Sequence, residues 1–98
     1  MSRSEIIEQL SRNAEAIRGM GATSLYLFGS AARDSARPDS DLDLFIDYDP
    51  ARRFSLLDLV GIKQFLEERM AAEIDITTRD SLHPMLKDDI ERSAVRVF

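Results

Sequence analysis

Three aspartates pose the first chemical question in this chain. Asp41 and Asp43 stand two positions apart in DLDLFID, residues 41–47, and Asp75 stands between two isoleucines in EIDIT, residues 73–77. In a strand the side chains alternate between faces, so Asp41, Asp43 and Asp47 share one face, with Cα atoms of neighbours on that face about 6 to 7 Å apart. The carboxylates of Asp41 and Asp43 can therefore converge. At a separation of about 5 Å and an effective dielectric near 20, two such charges repel by about 3 kcal/mol, a large fraction of a small domain's stability. A bound cation would relieve that cost. Hard oxygen donors with no histidine or cysteine nearby favour magnesium or manganese over zinc. Magnesium keeps waters and takes substrate phosphates as further ligands, which makes a nucleoside triphosphate the leading substrate. Asp75 points away from the face used by Ile74 and Ile76, and it completes a carboxylate triad if its strand lies beside that of Asp41 and Asp43. Two metals on three carboxylates can stabilise both the attacking and the leaving oxygen of an in-line phosphoryl displacement.

Gly29 and Ser30 supply a second chemical element. They follow the apolar run SLYLF, residues 24–28, and a glycine with a small hydroxyl residue between a strand and a helix lets backbone N–H groups and the hydroxyl approach terminal phosphates. Arg33, one turn on, can add charge-assisted hydrogen bonds to the same phosphates. Each feature alone is commonly a plain turn or an exposed strand face. The combination at these positions favours a phosphoryl-transfer site.

Positioning such groups requires a sheet and helices. Residues 3–18 read as a helix, with Ser2 and Glu5 at capping-box spacing and Ile7, Leu10, Ala14 and Ile17 on one face. Gly19 and Gly21 end it. Residues 24–28 read as a buried strand broken by Gly29, and the small and polar letters from Ala31 to Ser40, with Pro38, predict one turn of helix and a loop. Residues 41–47 form the second strand, before Pro50. Ser55 with Asp58 opens a helix carrying Leu59, Ile62, Leu66 and Met70, with Glu67, Glu68 and Arg69 on its charged face. Residues 73–77 are the third strand. Asp80 or Ser81 then caps a third helix with Leu82, Leu86 and Ile90, in which Pro84 is tolerated in the first turn. The tail AVRVF reads as a short strand or a frayed helix. The order α, β, β, α, β, α predicts an α/β (α+β) domain spanning residues 1–98, with a small sheet covered by helices.

The composition excludes several classes. With 98 residues, 44% of them hydrophobic, the chain suits one domain with one core. It has little surface to spare for a second, substrate-gripping lobe. A net charge of -5 argues against a general nucleic-acid binder. The absence of cysteine rules out disulfides and thiolate zinc sites and fits a reducing cytoplasm. No apolar run approaches the roughly 20 residues that span a bilayer, and MSRSEIIEQL lacks a signal core, so the expected setting is soluble and cytoplasmic.

Gly29-Ser30, ten residues, then Asp41-x-Asp43 resembles the signature of the DNA polymerase beta-like nucleotidyltransferase superfamily, in the spacing of the minimal nucleotidyltransferase (MNT) proteins. The likeness runs through LYLFGSAARDSARPDSDLDLFID and through EIDITTRDSLHPMLKDDIERSAVRVF, where a third Asp is followed by a Leu-x-Pro helix. It implies a short mixed sheet flanked by helices, ATP as donor, two Mg2+ ions, and transfer of AMP with release of pyrophosphate. By matching positions, Asp41 and Asp43 would bind both metals, Asp75 would bind the catalytic metal and help activate the acceptor hydroxyl, and Gly29 and Ser30 would hold the triphosphate. Arg33 sits where relatives often carry Arg or Lys, whereas Asp34 replaces a common Gly. Proteins of this group are commonly antitoxins of HEPN-domain ribonuclease toxins, and similar ones adenylylate a toxin tyrosine. The resemblance thus implies a protein adenylyltransferase antitoxin whose partner presents the acceptor. Two rival readings are a non-enzymatic antitoxin that masks the toxin and a transferase acting on a small molecule.

Other polar and soft residues have ordinary readings. His83 precedes Pro84 at a helix start, Arg52 and Arg53 belong to a solvated loop, and Arg79 lies just past the third strand within possible reach of the site. Lys63 reads as a snorkelling surface residue, Tyr26 as core, and Met20, Met70 and Met85 as gap-fillers.

Overall fold

The apolar letters of the predicted strands line one face of a single sheet. The computed structural model describes residues 2–33 and 41–98. Within them β1 (Ala22–Phe28), β2 (Leu42–Tyr48), β3 (Ile74–Thr78) and β4 (Val95–Arg96) form a four-stranded mixed sheet in the order β3-β2-β1-β4. β1 runs antiparallel to β2 and to β4, and β2 runs parallel to β3. A parallel pair needs a long crossover, and helix α4 (Leu56–Met70) supplies it.

Leu25, Leu27, Leu42, Leu44, Ile46, Ile74 and Ile76 point to the same side of this sheet and are buried in one cluster with Ile6, Leu10, Ile17, Ile62, Leu66 and Met70 of the helices. Burying each such side chain contributes about 1.5 to 3 kcal/mol. This face therefore carries most of the stability. α4 begins as expected, with a capping box in which Ser55 Oγ accepts from Asp58 N–H at 3.4 Å and Asp58 Oδ2 accepts from Ser55 N–H at 2.8 Å.

Two helices differ from the sequence expectation. The segment read as one helix over 3–18 is α1 (Arg3–Arg12) and α2 (Ala14–Gly19), parted at Asn13. There the Asn13 side-chain amide donates to the Gln9 carbonyl at 2.9 Å, the local competition with the helix ladder that short polar side chains offer. Ile6, and not Ile7, is fully buried beside Leu10. Ser2 does accept from Glu5 N–H, at 3.2 Å, and Gly21 adopts φ +115 after the second helix. A single turn, α3 (Gly29–Ala32), follows β1; the expected loop to Ser40, with Asp34 and Pro38, lies outside the described residues.

The last helix, α5 (Pro84–Ser93), starts later than Asp80 or Ser81 would place it. Residues Arg79–Ser81 form a 3-10 turn, and His83 is the cap, its Nδ1 accepting from Met85 N–H at 3.1 Å. Proline lacks an N–H and fits the first helical position, which sets the start at Pro84. Asp80 is engaged elsewhere, accepting from the Tyr48 hydroxyl at 2.6 Å and from the Thr78 hydroxyl. Leu82 is buried ahead of the helix, while Leu86 is 54% and Met85 83% exposed, so neither fills the core. The tail is a strand, extended by Val97 N–H donating to the Leu25 carbonyl at 2.8 Å.

The other face of the sheet is built from cross-strand rungs. Phe28, Asp43 and Asp75 form one, and Tyr26, Phe45 and Thr77 the next. Tyr26 stacks on Phe45 with ring centroids 4.7 Å apart, and Phe28 tilts against Phe45 at 5.8 Å. The Arg79 guanidinium lies 4.8 Å from the Tyr26 centroid and 5.0 Å from that of Phe45. It donates to Asp47 through Nε at 2.8 Å and Nη2 at 3.0 Å, and to Glu91 of α5 through Nη1 at 2.6 Å. Arg79 thus clamps α5 to the sheet and does not join the acidic site. Asp47 shares a face with Asp43 as expected, but Phe45 stands between them.

Replacing Arg79 by Met leaves two largely covered carboxylates without their cation. Breaking one partner out of a buried pair costs about 3 to 5 kcal/mol, and these side chains are near 30% exposed, so a loss of about 2 kcal/mol is expected. In a domain of this size that lowers Tm by roughly 10 °C. A thermal melt unchanged by the substitution would show that the clamp carries no stability.

Candidate active site

The parallel pairing of β2 with β3 brings Asp43 and Asp75 into register as direct partners. Neighbouring strands lie about 4.8 Å apart, so two carboxylates meet on one face at the end of the sheet where β1 passes into α3. Asp43 is half-buried and Asp75 is exposed. Gly29 opens α3 at φ +72, a left-handed conformation. A Cβ on Gly29 would overlap Oδ2 of Asp43. The Asp43 carboxylate therefore lies against the bare Cα of the Gly-Ser turn, and the turn and the acidic pair are one structure.

Asp41 immediately precedes β2 and is exposed, beside Glu73, which immediately precedes β3. A hydrogen bond and charge repulsion from Asp41 hold the Glu73 carboxyl above its ordinary range. The acidic surface is thus a ladder of two rungs, Asp41 with Glu73 and Asp43 with Asp75. Sequence reasoning did not single out Glu73, although its spacing from Asp75 repeats that of Asp41 from Asp43. Ser30 is half-buried in the turn, and exposed Arg33 closes it, its N–H donating to the Gly29 carbonyl at 3.3 Å.

Asp43 is the most perturbed member. Burial pushes its carboxyl above the usual range, the charges of Asp75 and Asp41 push it further, and Arg33 opposes them. A carboxyl raised in the folded state binds more protons there than in the unfolded chain, so this group makes folding more favourable as pH falls from neutrality toward the ordinary carboxylate pKa. Magnesium should substitute for the proton. The expected result is a Tm that rises with added Mg2+ at pH 7.5 and responds less to the ion as the pH is lowered into the ordinary carboxylate range, where a carboxyl held above that range is protonated. A Tm insensitive to Mg2+ throughout would show that the carboxylates do not collect a cation.

The donor set fits a hard divalent cation, since it is all carboxylate and its central member pays for its own charge. The expected triad is only partly assembled. Among the described residues no three His, Cys, Asp or Glu side chains are gathered closely enough to enclose a metal ion. Asp43 and Asp75 are brought together, whereas Asp41 turns to Glu73, and engaging a metal would require it to leave that partner.

Of the remaining residues singled out by sequence, His83 is a helix cap, Arg52 and Arg53 are exposed in a loop, and Lys63 pairs with Glu67 at 3.2 Å on α4. Tyr26 is half-buried in the aromatic floor, Met70 is buried and Met20 partly so.

A mixed sheet with a Gly-Ser turn at the end of its first strand, and aspartates in register on the next two, defines a nucleotidyl-transfer scaffold. The chain belongs to the nucleotidyltransferase domain family, whose model matches residues 3–97. A protein of Methanocaldococcus jannaschii assigned as a protein adenylyltransferase, MJ0435, is 42% identical over 78 residues, covering 80% of this chain and 82% of its own. A solved minimal nucleotidyltransferase superposes with TM-score 0.73 at 35% identity, over 91% of this chain and 93% of that one. The same fold recurs, at TM-score 0.67 and 15% identity over 94% of this chain and 71% of the other, in a complex of tri-AMPylated Shewanella oneidensis HEPN toxin with MNT antitoxin. The fold is that of the minimal nucleotidyltransferases, as the sequence resemblance implied.

Proposed function

We propose that this chain, acting as one nucleotidyltransferase domain, transfers AMP from ATP to a tyrosine of a HEPN-type toxin and thereby serves as its antitoxin. The observation that carries the reading is the contact of the Asp43 carboxylate with the Gly29 turn, in register with Asp75, which unites a phosphate cradle and an acidic pair. Backbone N–H groups at Gly29 and Ser30, the Ser30 hydroxyl and the Arg33 guanidinium hold the triphosphate. Asp41, Asp43 and Asp75 would hold two Mg2+ ions, which neutralise the phosphates and polarise the α-phosphate when bound. The acceptor oxygen bonds to the α-phosphorus as the bond from that phosphorus to the bridging oxygen breaks, and pyrophosphate leaves. The hydroxyl proton passes to the Asp75 carboxylate.

The partner assignment draws support from the adenylyltransferase relative and from the toxin-bound neighbour. Among the described residues no helix is long and apolar enough to cross a membrane, and the acidic charge opposes direct nucleic-acid binding. A cytoplasmic site of action is proposed with it. The test is the intact mass of a HEPN toxin incubated with ATP, Mg2+ and this chain. Steps of one AMP, absent with Asp41→Ala, Asp43→Ala, are expected. A stable complex with unchanged toxin mass would replace this reading with that of a masking antitoxin.

A further inference from the structure

The lateral order of the site across the sheet points to where the acceptor must enter. The phosphate turn ends β1, Asp43 stands on the middle strand β2, and Asp75 stands on β3, the edge strand. An in-line displacement places the attacking oxygen opposite the leaving group. With pyrophosphate toward the β1 turn, the acceptor comes from beyond β3.

The outer edge of β3 is built to receive a backbone. Leu42 N–H donates to the Glu73 carbonyl at 2.9 Å, which sets the phase of the parallel ladder. Glu73, Asp75 and Thr77 turn their backbone groups toward β2, so Ile74, Ile76 and Thr78 turn theirs outward. Glu67 of α4 takes the Ile74 N–H at 3.3 Å. Among the described residues no hydrogen bond is made to the N–H or carbonyl of Ile76 or to the N–H of Thr78, and the two residues as wholes are 9% and 7% exposed. An edge with free backbone groups is a template for an added strand.

We propose that the acceptor segment of the partner protein binds in extended form along β3, hydrogen-bonding to Ile76 and Thr78, and presents its hydroxyl side chain beside Asp75. A residue paired across the edge from Asp75 has its Cβ about 5 Å from that of Asp75 and on the same face. The acceptor hydroxyl is then within reach of the carboxylate that takes its proton. The exposed Glu73 carboxylate, at the head of the same edge and outside the set assigned to the metal ions, selects a segment whose acceptor is flanked by Arg or Lys. This docking mode rests on the transferase reading, and its test separates the two.

The probe is a capped Arg-Val-Tyr-Val-Arg peptide, titrated into the 15N-labelled full chain with Mg2+ and a non-hydrolysable ATP analogue, and assayed separately for AMP transfer with ATP. Amide shifts and slowed hydrogen exchange centred on Ile76 and Thr78 are expected. N-methylating successive peptide amides should weaken binding about fivefold at alternate positions, since one lost hydrogen bond is worth about 1 kcal/mol. Shifts centred on the exposed Leu56 and Leu57 of α4, equal effects of every N-methyl group, or no binding would overturn the proposal. Alternating effects without AMP transfer would uphold the docking mode and sink the transferase reading.

Discussion

Asp43→Asn is expected to reduce AMP transfer by more than about 100-fold while raising the Tm of the metal-free chain at neutral pH. Removing an outer-shell partner of a metal ligand already costs about 10- to 100-fold, and Asp43 stands closer than that, between the Gly29 turn and Asp75. Asparagine keeps the shape that packs on Gly29 and removes the charge that burial, Asp75 and Asp41 make costly. Loss of activity and gain of stability should therefore appear in one variant. Below pH 4 the stability gain should vanish, because wild-type Asp43 is then protonated as well. Transfer within tenfold of wild type would remove Asp43 from the chemistry, and a lowered Tm would contradict its electrostatic assignment.

Gly29→Ala should be the most damaging single methyl group in the chain. A non-glycine residue at φ +72 costs about 1 to 2 kcal/mol, and the added Cβ overlaps the Asp43 carboxylate, so a total of about 3 kcal/mol is expected. That corresponds to roughly 15 °C in Tm, with transfer falling as far as in Asp43→Asn because the carboxylate must move. The two contributions separate in a double-mutant cycle. In an Asp43→Ala background the overlap is gone and only the backbone cost remains, so Gly29→Ala should destabilise that background less. Strict additivity would mean that the turn and Asp43 are independent.

The strands were legible because their constraints are local. Alternation in DLDLFID and EIDIT, with Gly29 and Pro50 as stops, locates β2 and β3 within a residue or so of their bounds, and Ser55 with Asp58 marks the start of α4. The Asp43–Asp75 pairing was legible only conditionally, since it depends on β3 returning parallel to β2 over α4. Contacts between residues far apart in the chain left no local signal. Nothing in the letters around Asp47 shows that Arg79, 32 positions on, takes it out of the acidic face and ties it to Glu91. Asn13 passed unmarked inside the helix read over residues 3–18, and its side-chain bond to Gln9 stands where α1 and α2 part. Asp80 and Ser81 looked like caps, yet Tyr48 and Thr78 compete for Asp80 and Pro84 fixes the helix start. Glu73 went unmarked because its significance lies in Asp41 across the strand gap.

The sheet also bears on how such a chain can drift. Each central strand writes two texts in alternate letters: Leu42, Leu44 and Ile46 face the helices, while Asp43, Phe45 and Asp47 face the site and its clamp. Volume-conserving exchanges among the first set cost little and leave the second set where it was. Lineages can therefore rewrite the hydrophobic half of the strands, following temperature or neighbouring residues, without renegotiating the reaction, while a one-residue insertion in β2 would exchange the two texts at once. Substitutions should accumulate here far more readily than insertions or deletions.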